Sequence, residues 1–290
     1  MKAADQVHLE YPMLHDSANL ASARSQRLFY RLRGTSALLL LLGAFASLLD
    51  TPWNGWVAIV AFTLALYVEI ASLQIQPEQR WHTARSAAEA VKTLAWRYGV
   101  GGAPFGLSSD PSKVDGLFLE RLHESIQDLS DLSLAVAHGT GMQITDSMRS
   151  LRSASLTDRQ RAYEVNRIET QLAWYAGRAT SSSTFHDRLS LVSIALAAFG
   201  LLLGILQTAG ILEVHLWSIV ATGGAVTAGW SQTKQHGRNA AAYARAAHEL
   251  ASIRAKLRHV ATEHRWARFV EDAESAISRE HSVWQASRSD

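Results

Sequence analysis

Cysteine is missing from all 290 positions. Disulfides and thiolate metal sites are thereby excluded, and a reducing compartment fits. Proline is nearly as scarce, with five residues, and strand-like alternation is rare, so the charged stretches read as helix throughout. Net charge is short as well: 28 Lys and Arg against 26 Asp and Glu leave +2, too balanced for a nucleic-acid partner. Catalytic signatures are also wanting, with no Gly-x-Ser-x-Gly elbow, no His-Glu-x-x-His and no Walker loop. Gly99-x-Gly101-Gly102 follows a helical pattern rather than a strand, the wrong context for a dinucleotide fingerprint. The 12 histidines are scattered, and His259 and His264 are five apart, off the i,i+4 face of a helical zinc site. With no nucleophile–base pair to nominate, the chain is expected not to be an enzyme: no catalytic, metal or cofactor-binding residue and no cofactor is assigned. A secretory signal is not expected either, because Asp5, Glu10 and Asp16 precede the first apolar run, which begins near residue 35.

Four uncharged apolar blocks stand out against this background. No charge falls between Arg33 and Asp50, and the next after Asp50 is Glu69; two further gaps run from Arg188 to Glu213 and from Glu213 to Lys234. A spanning helix needs about 20 apolar residues, with a lower limit near 17. Spans are therefore expected at about 35–49, 56–75, 189–209 and 211–231, the first borrowing length from Leu32 or letting Arg33 snorkel. A soluble bundle with helices apolar all round is the plainer reading, but four such blocks exceed what one soluble core requires. The connections DTPWNGW and TAGILEVHLW contain no Lys or Arg, whereas Arg24, Arg27, Arg31 and Arg33 precede the first block and Lys234 and Arg238 follow the last. The positive-inside rule then puts both termini and the long middle section in the cytoplasm, with Trp53, Trp56 and Trp217 in an interfacial belt at the outer turns.

The chain repeats itself. QRLFYRLR ends at Arg33 and QLAWYAGR at Arg178, both reading Gln-x-x-aromatic-Tyr-x-x-Arg ahead of an apolar hairpin. After the hairpins come ARSAAE (84–89) and ARAAHE (244–249), each with Arg and Glu four apart. Matching order and spacing predict a tandem duplication of one unit: helix, hairpin, helix. Gln26, Tyr30, Arg33, Arg85 and Glu89 in the first copy, and Gln171, Tyr175, Arg178, Arg245 and Glu249 in the second, are the repeat-motif residues. Each Arg-Glu pair is expected to clamp the seam between the two helices of its unit, against the plainer reading of a surface pair. Apolar seams at spacings of three and four run through Val165, Ile168, Leu172, Tyr175 and Ala179, through Ala84, Ala87, Val91, Leu94 and Tyr98, and through Tyr243, Ala246, Leu250, Ile253, Leu257 and Val260. GVGGAPFGLSSDPSK (99–113) breaks the helix after the first hairpin, and an amphipathic helix is predicted beyond it through Phe118, Leu122, Leu129, Leu132 and Val136. HGTGMQITD (138–146) breaks the pattern again.

Within the spans, Gly200, Gly204, Ala221, Ala225 and Gly229 repeat every fourth residue on their helices, a spacing that lets helices approach closely. Ser218, Thr222 and Thr227, with Gln207, are candidate pathway residues that either line water or bond their own backbone. Glu69 is the one carboxylate inside a span, at its cytoplasmic end, where interfacial exposure competes with a pathway role.

SAAEAVKTLAWRYGVGGAPF resembles one branch of the SLATT domains, and ITDSMRSLRSASLTDRQRAYEVNRIETQLAWYAGRA resembles another; together they cover nearly the whole chain. The matching motif positions are Glu89, Lys92, Trp96, Arg97, Tyr98, Pro104 and Phe105, then Gln171, Trp174, Tyr175 and Arg178. The resemblance implies two transmembrane helices per unit, a bacterial origin, genomic company with nucleotide-second-messenger synthases and sensors of conflict systems, and a pore-forming effector role; it transfers no catalytic residue. The expected architecture is an all-α membrane protein: two tandem transmembrane hairpins (four spans) with a cytoplasmic helical bundle or coiled coil. The first unit covers 1–105, an amphipathic connector 106–150, and the second unit 151–290. The expected protein is a homo-oligomeric channel of the bacterial inner membrane, in contact with lipid, gated by its cytoplasmic helices and causing depolarisation or growth arrest. No sensor, synthase, TIR or nuclease segment lies within these residues, so the trigger is expected from those helices or from a separate second-messenger sensor or synthase. The alternative is a non-conducting scaffold or sensor that recruits a soluble partner; a membrane enzyme is the least favoured.

Overall fold

The computed structural model describes residues 9–49, 51–107, 110–127, 142–211, 217–234 and 236–289. Among these residues every regular element is helical. The order is α1 (Met13–Ala46), α2 (Asn54–Ile75), α3 (Pro77–Val100), α4 (Pro111–Gln127), α5 (Asp146–Ser153), α6 (Leu156–Tyr163), a π-helical turn (Glu164–Glu169), α7 (Thr170–Thr208), α8 (Trp217–Lys234), α9 (His236–Leu257) and α10 (Glu263–Ser289). Local chemistry sets several boundaries. Thr145 Oγ1 accepts from the Met148 N–H to start α5, and Ser155 Oγ accepts from the Asp158 N–H to start α6. Between α2 and α3 a single residue, Gln76, turns left-handed (φ 49°), and Pro77 opens the next helix, where its missing N–H costs nothing.

Two compact units emerge, and neither coincides with a sequence repeat. One holds the described residues of 1–25, 78–177 and 242–290; the other holds Gln26–Pro77 and Arg178–Ala241. The first is a conventional helical core. The predicted seams pack: Ala84, Ala87, Val91 and Tyr98 on α3, Ile168 and Tyr175 around the π turn and α7, and Ala246, Leu250 and Leu257 on α9 are buried. Leu94, Leu172, Tyr243, Ile253 and Val260 lie partly buried against the same cluster. The predicted amphipathic helix is α4, with Phe118 and Leu122 buried; Leu129, Leu132 and Val136 lie outside the described residues.

The break after α3 is the most heavily bonded loop in this unit. Its backbone carbonyls have no ladder to join, so side chains must satisfy them. Arg152 donates to the carbonyls of Tyr98 (3.0 Å), Phe105 (2.7 Å) and Gly106 (3.1 Å). Arg159 and the Trp266 indole each donate to the Val100 carbonyl at 2.7 Å, and Arg97 donates to Ala103 O at 2.7 Å. The Ala103 N–H donates in turn to Ala267 O on α10 (2.9 Å). Two glycines make this approach possible. Gly101 is left-handed (φ 73°) with Arg159 Nη1 only 3.0 Å from where a Cβ would stand, and a Cβ on Gly102 would lie 2.8 Å from Val270 Cβ. Gly102→Ala should therefore force α10 off the loop and destabilise the unit by about 1–3 kcal/mol. Thermal unfolding of the detergent-solubilised protein checks this, with Val270→Ala expected to restore only part of the loss, because its Cβ still stands 2.8 Å from the added one.

Candidate functional site

In the second unit the apolar side chains point outward. Leu38, Leu42 and Phe45 on α1, Ile59, Val60, Leu66 and Leu73 on α2, and Leu191, Ile194, Leu201 and Ile205 on α7 are exposed. Three helical runs among the described residues are long and apolar enough to cross a membrane: Met13–Ala46, Asn54–Val100 and Leu156–Thr208. An aqueous surface of this kind would be unfavourable over its whole length, whereas a bilayer requires it. The fourth predicted span differs. Residues 212–216 lie outside the description, and the helix that follows, α8, has 18 residues and is not among those three runs. Its glycines, Thr222, Thr227, Gln232 and Thr233 dilute the apolar content. Trp53 and Trp56 project fully outward at the first turn, 71% and 64% exposed. An open apolar groove of about 480 Å³ runs between α1 and α2, lined by Leu39, Leu42, Phe45, Trp56, Val60 and Leu64 among others.

One polar cluster is set into the first hairpin. Glu69 accepts from Arg33 Nη1 (3.2 and 3.4 Å) and from Ser36 Oγ (2.9 Å), and the Arg33 guanidinium lies 5.9 Å from the Phe29 ring. Sequence reasoning weighed Glu69 between exposure and a pathway; here the carboxylate is engaged in a clamp joining α1 to α2. Of the other candidate pathway residues, Gln207 is partly buried near the end of α7, and Thr227 donates to the Gly223 carbonyl of its own helix (2.8 Å). Thr222 is partly buried; Ser218 lies on α8, its side chain outside the description. Among the small residues, a Cβ on Gly200 would meet Val220 Cγ1 at 3.1 Å, so α7 and α8 touch there, while a Cβ on Gly204 meets nothing within 4 Å. Ala221, Ala225 and Gly229 are exposed on α8.

The repeat motifs diverge in three dimensions. Arg85 and Glu89 form an i,i+4 ion pair at 2.6 Å, with the Glu89 side chain only 12% exposed. Arg245 and Glu249, expected to match them in a seam, both sit on exposed positions of α9. The correction has a simple cause: α9 buries Ala246 and Leu250, and 100° per residue turns positions 245 and 249 outward. Gln171 and Tyr175 are buried; Gln26 and Tyr30 are partly buried, and Arg178 is exposed.

What the sequence reading missed is the polar heart of the first unit. Arg167 and Glu274 are 1% and 0% exposed and paired in two places, Nη2 to Oε2 at 2.7 Å and Nε to Oε1 at 2.9 Å. Tyr163 and Thr93 each donate a hydroxyl to the same carboxylate at 2.9 Å. Burial works to lower the guanidinium pKa, but Glu274 beside it raises it on balance, and burial with the adjacent carboxylate pushes the Tyr163 phenol well up. Nearby, burial depresses Lys92, whose ammonium lies 5.9 Å from the Tyr11 ring, and Tyr11 accepts from the Trp96 indole at 3.1 Å. Tyr98, pushed up to about 12 by burial and by its bond to Asp115 (2.6 Å), stays a donor. The available signal was a lone charge on an otherwise apolar helix face: Glu274 between Ala273 and Ile277, Arg167 beside Ile168. Among the described residues no cluster of His, Asp or Glu that would hold a metal ion is found.

A chain whose described regular elements are all helical, with outward-facing apolar helices long enough to cross a bilayer, is a membrane protein. Its family follows from comparison with family models. The SMODS and SLOG-associating 2TM effector domain 3 matches residues 12–160, and the SMODS and SLOG-associating 2TM effector domain 1 matches residues 163–284. The chain belongs to the SLATT family, with two such domains in tandem. No curated protein and no solved structure matches it.

Two clamps give two expectations. Removing one member of a buried pair strands the other, so Glu274→Ala or Arg167→Ala should cost about 3–5 kcal/mol, while the apolar double replacement Arg167→Met with Glu274→Leu should recover much of it. Equal losses for single and double variants in thermal unfolding would contradict this. The Arg33–Glu69 pair is 40% exposed on each side, so a double-mutant cycle there should give a coupling of no more than about 1 kcal/mol.

Proposed function

We propose that this protein is an oligomeric, pore-forming effector of a bacterial conflict or anti-phage system. It sits in the inner membrane with both termini and the polar helical unit in the cytoplasm, and that unit gates it. The family match supports the effector role at its coarse level: both halves match domains described as two-transmembrane effectors. The observation that carries the oligomeric reading is the uncovered small-residue surface. A Cβ built on Gly204, Gly223 or Gly224 meets nothing within 4 Å in a single chain, and Ile205, Ala221 and Ala225 near them are exposed. Helix faces of that kind pack on other helices in a bilayer, where close backbone approach replaces the hydrophobic drive available in water. Partners on this reading are further copies, lipid, and a separate second-messenger sensor or synthase as the trigger. One observation favours the alternative of a non-conducting scaffold: the carboxylate in the first hairpin is already bonded to Arg33 and Ser36, which leaves neutral Gln207, Ser218, Thr222 and Thr227 as the pathway candidates.

Expression in a bacterial host separates the two. A pore collapses the membrane potential, read with a potential-sensitive dye, and arrests growth; a scaffold does neither. Gly204→Leu and Ala225→Leu should each weaken packing by on the order of 1 kcal/mol or more per interface. They should lower the oligomeric mass in detergent together with depolarisation. Wild-type mass and activity in both variants would assign these faces to lipid.

A further inference from the structure

A π-helical turn is rare in soluble and membrane proteins alike, and here one carries the buried Arg167 and leads directly into α7. Its two end residues are Glu164 and Glu169, and a single side chain holds both: Arg254 of α9 donates through Nε to Glu164 (3.1 Å) and through Nη2 to Glu169. That grip depends on the turn. In an α-helix residues five apart point about 140° away from each other; in a π turn, which closes i→i+5 bonds, they stand one above the other. The Thr170 hydroxyl reports the same register, donating to the carbonyl five residues back, Val165 O, at 3.3 Å.

The repeat supplies an internal control. In the first copy of Gln-x-x-aromatic-Tyr-x-x-Arg, α1 runs through without a π turn, and the buried ring is Phe29, 2% exposed, with Tyr30 only partly buried. In the second copy the buried ring is one position later: Tyr175 is 1% exposed and Trp174 is 36% exposed. One position is the shift that a π turn introduces into a helix. Tyr243, eleven residues before Arg254 and so on the same face of α9, lies against both rings, 5.5 Å from Trp174 and 6.1 Å from Tyr175.

We propose that the π turn is a register switch latched by Arg254, and that releasing the latch converts the turn to α-helix and brings Trp174 into the buried place that Tyr175 now holds. Relaxing to α turns the residues of α7 that follow within this unit, 170–177, by about 100°, one residue's worth, so the face they present to α9 changes with the latch. Glu164, Glu169 and Arg254 are 28%, 39% and 40% exposed, open to a competing charged partner, whereas Arg167 stays anchored to Glu274. The proposal does not depend on whether the membrane helices conduct.

Hydroxyl-radical footprinting of the full chain in detergent reads both rings without replacing either. In the wild type Trp174 is modified and Tyr175 is protected. Arg254→Ala, and separately Glu164→Gln with Glu169→Gln, should reverse this, with Tyr175 modification rising and Trp174 modification falling, each by roughly tenfold, as expected for a residue leaving or entering a protected core. Deleting Asn166 removes the extra residue, so Arg254→Ala in that background should keep Tyr175 protected. Both rings rising together would mean simple loosening of α9. No change in either latch variant, or reversal in the deletion background as well, would overturn the switch.

Discussion

The polar helical unit depends on one carboxylate that is fully buried. Glu274 on α10 gathers Arg167 from the π turn, Tyr163 from the end of α6 just before it, and Thr93 from α3, so three segments distant in sequence meet at two oxygens. A buried charge is tolerated only when every lone pair finds a donor, and that demand fixes the register of each helix more strictly than apolar packing does. Leucine seams tolerate a small slide; a carboxylate with assigned donors does not.

The same logic extends outward from that point. The loop after α3 would leave its carbonyls bare inside the unit, and Arg97, Arg152, Arg159 and Trp266 occupy them. Three of those four donors are arginines, whose fixed fork reaches several acceptors at once. The family motif positions Trp96, Arg97, Tyr98, Pro104 and Phe105 cluster here, which gives them a physical role as the framework of a loop. In the other unit Arg33, Ser36 and Glu69 hold α1 to α2 at one level. Lipid-facing helices gain little from apolar contact with each other, so a single polar clamp and close approach at small residues carry more of the specificity.

The two copies of the motif sit in two environments. Arg85–Glu89 is a half-buried pair, while Arg245 and Glu249 lie on an exposed face; Phe29 is buried in one copy and Tyr175 in the other. A π turn precedes the second copy and none precedes the first. Duplicated sequence therefore does not dictate duplicated contacts, and the compact units draw on both copies.

The sequence by itself determined the helical class, the outward apolar runs near residues 35–49, 56–75 and 189–209, the packed seams and the family. All but the family follow from composition and from periodicity within one helix, which short-range chemistry controls; the family follows from the resemblance carried by two motif stretches. The clamp partners were another matter. That Glu69 meets Arg33 and Ser36, that Glu274 meets Arg167, and that Arg254 spans Glu164 and Glu169 required helices remote in sequence to be placed side by side. The π turn was equally hidden, since its residues, EVNRIE, carry no propensity that distinguishes them from α-helix; the Arg254 staple and the Arg167–Glu274 pair are interactions through which tertiary structure holds the wider turn. Local spacing says which face of a helix is apolar, and only the fold says which charge waits on the other side.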